Sequence, residues 1–147
     1  MKFTIHTKVK GNYLKVFQQF DQQLFEKLSP PGAQVELIRF DGSKAGDIVH
    51  IRLKMLGIIS EDWISEIRES KVEEGKAWFI DQGTTLPFFL SFWHHRHLIT
   101  ADGPDQSVIT DAIEFRTPFF LLDWLMFPVM YLQFLWRKPV YKRFFNA

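Results

Sequence analysis

Between Gln34 and Thr117 the chain repeats one device, a short alternating run closed by a turn signal, and then drops it at Pro118. Successive side chains of a strand point to opposite faces, so each alternating run describes a strand with one buried face. Asp47 to Met55 is the clearest case. Val49, Ile51, Leu53 and Met55 share one face, and His50, Arg52 and Lys54 share the other. Gln34 to Phe40 precedes it and ends at Asp41-Gly42. Glu61 to Lys71 follows Gly57, and Glu73-Glu74-Gly75 turns into Lys76 to Gln82. After a loop from Gly83 to Pro87, a strand runs from about Phe89 to Thr100. Asp102-Gly103-Pro104-Asp105 then turns it into Ser107 to Thr117. Short strands joined in succession by turn residues specify an antiparallel meander.

The two ends complete the frame. Phe3, Ile5, Thr7 and Val9 alternate with Lys2, Thr4, His6 and Lys8 as a further strand. Gly11-Asn12 breaks it, and Asn12 caps a helix from Tyr13 to about Phe20. Asp21 caps a second helix to Leu28, which Ser29-Pro30-Pro31-Gly32 stops, since proline cannot donate to the helix ladder. From Phe119 onward apolar residues recur at helical spacing. Asp123, Met126, Met130, Gln133 and Arg137 make a narrow, more polar stripe on an otherwise apolar helix. Charge normally points outward, so the stripe is expected at the solvated edge, with Trp124, Phe127 and Tyr131 turned toward the interior. Pro128 is expected to kink this helix at the carbonyl of Trp124. The order β-α-α-β6-α predicts one α+β domain over residues 1–147. Its curved antiparallel sheet of about seven strands wraps around a long C-terminal helix.

Composition removes several classes of function. Eighteen basic and 17 acidic residues leave a net charge of +1, and with no Lys/Arg block nucleic acid is not an expected partner. The absence of cysteine rules out disulfides, thiol catalysis and thiolate metal sites, and fits a cytoplasmic location. Met1 to His6 lacks the apolar core of a signal peptide. Phe119 to Trp136 is apolar enough to raise the question of a membrane span. Asp123 within it would cost about 3 kcal/mol near mid-bilayer, so a buried helix is expected, with contact at a membrane surface still open. Aromatic residues make up 16% of the chain, and such large rings fill space coarsely enough to leave room for a guest.

Across essentially its whole length the chain resembles the START-like, or SRPBCC, superfamily, also described as birch-pollen-allergen-like, and within it the small bacterial ligand-binding members. The resemblance is carried by Leu28-Ser29-Pro30-Pro31, Arg39-Phe40-Asp41-Gly42, Gly46-Asp47, Phe79-Ile80-Asp81, Pro87-Phe88, Trp93-His94-His95-Arg96-His97 and Asp111-Ala112-Ile113 leading to Pro118. It implies a helix-grip fold with a cavity between helix and sheet. It implies no particular reaction, because one fold hosts carriers, receptors and cyclases alike.

Trp93, His95 and His97 share a strand face, and Asp111 interrupts the apolar face marked by Ile109, Ile113 and Phe115. A carboxylate there seeks a partner, and His95 or His97 is the candidate, with Asp81 joining if Phe79 faces inward. A one-residue change of register would present His94 and Arg96 instead. Three readings compete for the cluster. It is a hydrogen-bonded network that fixes the sheet, a polar anchor for a ligand, or an acid/base or metal-binding group. No cofactor is expected, and no residue is assigned to a metal. Leu86 and Phe88, in the loop from Thr84 to Phe89, either form the lip of the cavity or pack on the long helix.

The favoured function is binding or carrying a hydrophobic small molecule, such as a lipid, isoprenoid or aromatic compound. The candidate ligand-binding residues are Trp63, Phe79, Asp81, Phe88, Trp93, His95, His97, Asp111, Phe115, Trp124, Phe127 and Tyr131. One alternative is a cyclase- or hydratase-like enzyme using His95 or His97 with Asp111. Another is an interaction protein that uses its apolar helix. Either a monomer or a homodimer fits the sequence.

Overall fold

A computed structural model describes residues 1–30 and 34–147. Its elements run β1 (Lys2–Lys10), α1 (Tyr13–Gln18), α2 (Gln22–Lys27), β2 (Gln34–Phe40), β3 (Ile48–Met55), β4 (Ile59–Glu73), β5 (Lys76–Thr85), β6 (Phe92–Ala101), β7 (Gln106–Arg116), α3 (Phe120–Leu135) and α4 (Arg137–Asn146). The strands form one antiparallel sheet in the order β1-β7-β6-β5-β4-β3-β2. With helices on its concave side, this is the α+β helix-grip architecture.

Local chemistry accounts for most boundaries. Phe3, Ile5, Thr7 and Val9 are buried and their neighbours exposed, as alternation requires. Asn12 accepts from the Leu14 amide and Asp21 from the Leu24 amide, so both helix caps form as expected. Ser29 and Pro30 follow α2, whereas Pro31 and Gly32 of the expected stop lie outside the described residues. Gly75 and Gly103 turn their hairpins at φ of 80° and 92°, a region that side chains with a Cβ avoid. Register shifts in β4 at Ile64/Ser65 and Ile67/Glu69 add local twist, and the long strand curls there.

Two points at the C-terminus go beyond the expectation. The long C-terminal helix is present, and it is divided at Trp136 into α3 and α4. The break follows from Pro139, whose missing N–H and bulky ring conflict with the carbonyl of Leu135, the last residue of α3. Pro128 lies inside α3. The second point, a correction, concerns facing. The stripe of Met126, Met130, Gln133 and Arg137 turns toward the interior, while Phe120, Leu121, Trp124, Leu125 and Leu132 face outward. Asp123 fixes this rotation at the start of the helix by accepting from the Thr117 amide at 2.6 Å.

The packed interior has two centres. In the first, Val140 and Tyr141 of α4 meet Val16 of α1, Leu24 of α2, and Phe20 and Leu28 just outside those helices, over Val9, Phe79, Ile99 and Ile109. In the second, Met130 and Phe134 of α3 pack on Phe3, Ile5, Trp93, Ile113 and Phe115. Each such buried side chain contributes on the order of 1.5–3 kcal/mol. α4 lies over β1 while α3 stands off β2–β4, and the sheet between them is left unfilled.

Candidate functional site

The unfilled space is a cavity of about 760 Å³ bounded by α2, α3 and the inner faces of β2–β6. Leu24, Leu28, Val49, Ile51, Leu53 and Ile67 give it apolar walls, and Met126, Met130 and Phe134 close it from the helix side. Its floor is polar. Asp81 comes from β5 and His95 and His97 from β6, with Asp111 of β7 directly beneath them.

Register brings these four together. Asp81 pairs across the strands with His95, and His97 pairs with Asp111, which puts all four side chains on the concave face. The hydrogen bonds take the diagonals. His95 Nε2 meets Asp111 Oδ1 at 2.8 Å, and His97 Nε2 meets Asp81 Oδ2 at 2.8 Å. Trp93 Nε1 donates to Asp81 Oδ1 at 3.0 Å, and the Tyr141 hydroxyl donates to Asp111 Oδ1 at 3.4 Å. Phe79 stacks on His97 with ring centres 4.1 Å apart, and Phe134 meets the His95 ring edge-on at 5.1 Å. Each ring is thereby held in one orientation.

The electrostatics follow from burial and pairing. Burial alone would raise the Asp111 carboxyl, but the His95 hydrogen bond and the charges of His95, His97 and Arg137 take it down to about 2. Asp81 behaves likewise: burial pushes it up, and His97, His95 and the Trp93 indole bring it below its ordinary value. His97 goes the other way for an imidazole. Burial, reinforced by His95, lowers it to about 4 against the pull of Asp81 and Asp111. Burial beside Asp111 raises the Tyr141 phenol, so it stays a neutral donor. Both carboxylates are therefore ionised and His97 is neutral at pH 7.

Of the residues expected at the site, Trp63, Phe79, Asp81, Phe88, Trp93, His95 and His97 line the cavity. Asp111 lies one layer below, in contact with His95. Four expectations are corrected by position. Phe115 is wholly buried in the core, and Trp124 is 66% exposed and points away. Phe127 and Tyr131 stack on each other and meet Phe3 edge-on, outside the cavity lining. For the three helix residues the cause is the rotation of α3, which turns the stripe inward in their place, whereas Phe115 on β7 is covered by Met130 and Phe134 on the side of that stripe. His94 and Arg96 occupy the opposite sheet face, where Arg96 lies over Trp78 at 5.0 Å. The loop divides its roles: Leu86 joins the core, while Phe88 stands 60% exposed at the rim of the cavity.

Gln133 and Arg137 are the polar cavity residues that sequence reasoning assigned to solvent. Arg137 lies over the Phe134 ring at 4.2 Å, and its buried Nε has no hydrogen-bond partner among the described residues. The available signal was the company they keep. Their stripe holds two methionines and continues the spacing of Phe134, a pattern that suits an inner face as well as a wet one.

No protein-family model matches the sequence, and no curated protein does. Solved structures do. Norcoclaurine synthase from Thalictrum flavum, in complex with dopamine and hydroxybenzaldehyde, aligns at 14% identity with a TM-score of 0.59, covering 88% of this chain and 77% of that one. Major latex-like protein 151 from Panax ginseng aligns at 18% identity and TM-score 0.59, covering 92% and 89%. The di-domain ARO/CYC StfQ of the steffimycin biosynthetic pathway gives a TM-score of 0.69 at 11% identity. That alignment takes in 99% of this chain and 50% of the other. At these identities the likeness establishes the helix-grip fold alone.

Proposed function

We propose that this protein binds one hydrophobic small molecule in the cavity and holds a polar group of that molecule on the floor. A single observation carries the reading: a 760 Å³ space with apolar walls converges on a small set of oriented polar groups. That is the usual form of a ligand site, in which apolar contact supplies affinity and a few polar atoms fix orientation. Arg137 Nε and Gln133, which reach the cavity from the helix side, suit a carboxyl, hydroxyl or carbonyl group. Among the structural neighbours are a synthase and a latex-like protein, so the shared fold does not choose between carrier and enzyme. The local geometry favours binding, because both ring nitrogens of His95 already face carboxylates, leaving neither aimed at a substrate.

Native mass spectrometry of freshly purified protein, followed by denaturing extraction, tests this directly. A defined organic mass at one equivalent, and a raised melting temperature with lipid or aromatic compounds, are the expected results. A clean mass together with a flat thermal response across the panel would remove the reading.

The outer side of α3 supports a second, compatible role at a membrane surface. Leu121, Trp124, Leu125 and Leu132 are each more than 60% exposed there. Exposed Arg116 precedes α3 in the chain and exposed Lys142 and Arg143 follow it in α4, a combination of apolar helix face and basic residues that suits an anionic bilayer. Among the described residues no helix is long and apolar enough to cross a membrane. Flotation with anionic and neutral vesicles tests the contact, and light scattering tests the alternative, a homodimer through the same face.

A further inference from the structure

We propose that Asp81, His95 and His97 bind one divalent transition-metal ion, held by two imidazoles and one carboxylate and open to the cavity. The hydrogen bonds of the cluster do not satisfy all of its polar atoms. His95 Nε2 and Asp111 Oδ1 approach to 2.8 Å, which requires a proton between them. Nδ1 of the same ring stands 3.4 Å from Asp81 Oδ2, turned toward the same carboxylate oxygen that His97 approaches. His97 repeats the crowding. Its Nε2 lies 2.8 Å from Asp81 Oδ2, while its Nδ1 faces Asp111 Oδ1 at 3.6 Å with no hydrogen-bond partner among the described residues. Two imidazoles and two carboxylates thus crowd one buried junction, where His97 Nδ1 and Asp111 Oδ2 are both left without a hydrogen-bond partner among the described residues, an expensive arrangement.

A dication at the junction resolves these conflicts together. It takes lone pairs of His95 Nδ1, His97 Nε2 and one Asp81 oxygen, the two nitrogens standing 3.4 and 2.8 Å from Asp81 Oδ2, in a trio whose residues each offer a ligand atom within 4.8 Å of the others. Ligands of four-coordinate zinc stand roughly 3.3 Å apart, so the His95–Asp81 separation already fits and the His97–Asp81 pair opens slightly. With Nε2 of His97 on the metal, its proton moves to Nδ1, where Asp111 waits as acceptor. Asp111 then orients both imidazoles, and Trp93 Nε1 fixes the other oxygen of Asp81 at 3.0 Å. This is the outer sphere that metal-ligating histidines normally possess. The fourth position faces the cavity, as in metal sites that bind a substrate or ligand. Two imidazoles with one carboxylate suit zinc or ferrous iron better than magnesium or calcium, which favour all-oxygen sets.

The site stands independently of the organic-ligand reading, because titration with a metal alone requires no organic compound. Chelator-stripped protein titrated with zinc by calorimetry is expected to bind one equivalent, and cobalt(II) is expected to show the visible bands of a four-coordinate complex. Long-range ¹H–¹⁵N spectra of the unsubstituted protein report all five histidines, and only His95 and His97 are expected to shift, at Nδ1 and Nε2 respectively. Asp81→Ala is expected to abolish stoichiometric binding. Asp111→Asn, which touches no metal, is expected to weaken it roughly 10- to 100-fold. Unchanged spectra at saturating zinc overturn the proposal and leave the cluster a proton-bridged network. Shifts confined to His50, whose Nε2 pairs with Asp62 at 3.2 Å, overturn it in favour of an incidental surface site. The lipid and aromatic panel, run on zinc-free protein, tests the organic ligand separately, whatever the metal does.

Discussion

The two faces of α3 invert the usual relation between hydrophobicity and burial. Its inward face carries Met126, Met130, Gln133 and Phe134 and leads to Arg137, whereas its outward face carries Phe120, Leu121, Trp124, Leu125 and Leu132. Met130 is 3% exposed and Leu121 is 72% exposed, although leucine is the more hydrophobic residue. A helix buries whatever its neighbours can cover. Here the sheet covers the stripe that completes a polar-floored cavity, and nothing else in the described chain reaches the other arc. Burial therefore reports the shape of the partner surface as much as the character of the residue.

The sharpest way to break this comparison is to truncate both faces equally. Phe134→Ala removes a ring packed against Phe3, Trp93 and His95, and is expected to cost about 3–5 kcal/mol in urea unfolding. Met130→Ala on the same face is expected to cost about 2–5 kcal/mol. If either cost less than the outer-face substitutions below, the assigned rotation of α3 would be wrong.

Much of the frame was legible because its signals are local. β1 alternates without interruption, Asn12 and Asp21 cap where capping residues should, and Gly75 and Gly103 mark their turns. The site was legible only in its membership. His95 and His97 face inward rather than His94 and Arg96 because the β6–β7 hairpin closes on the pair Ala101–Ser107. The turn residues advertise a turn but leave its closing pair open by one, and one residue exchanges the two faces. Gln133 and Arg137 were hidden for another reason. Their placement depends on what α3 packs against, and periodicity along a helix carries no information about the opposing surface.

A smaller effect probes the loop that carries Phe88. A Cβ added at Gly83 would fall 2.4 Å from Leu86 Cδ2 and 3.2 Å from Trp93 Cβ. Gly83→Ala is expected to displace Leu86 and to cost about 1–3 kcal/mol as overpacking. Pairing it with Leu86→Ala should recover part of that loss, and an additive double mutant would show that the two side chains do not compete.

Smaller again is the tether that sets the rotation. The Thr117 hydroxyl and amide hold the Asp123 carboxyl below its ordinary value. A depressed carboxyl stabilises the fold above its unfolded pKa, and that contribution disappears as pH falls through the folded value. Asp123→Ala is therefore expected to lower the melting temperature at pH 7 by roughly 3 °C. The gap to the unsubstituted protein should close as pH drops below the usual carboxylate range, and a gap that persisted in acid would assign the effect to packing.

The smallest expected effect on stability falls on the outer face, and there the comparison is decided. Leu121→Ser, Trp124→Ser and Leu125→Ser change three large side chains that are 72%, 66% and 68% exposed. Exposed substitutions away from caps and cores usually lie within about 0.5 kcal/mol each, so the triple variant should unfold almost as the parent does. Serine is a slightly poorer helix former than leucine, which sets the sign of the small loss. Vesicle flotation is where the triple variant should differ, losing whatever membrane contact the parent shows while keeping the cavity's response to apolar compounds. A large loss of stability would mean that this face is covered in the folded protein, and would turn attention from a bilayer to a second copy of the chain.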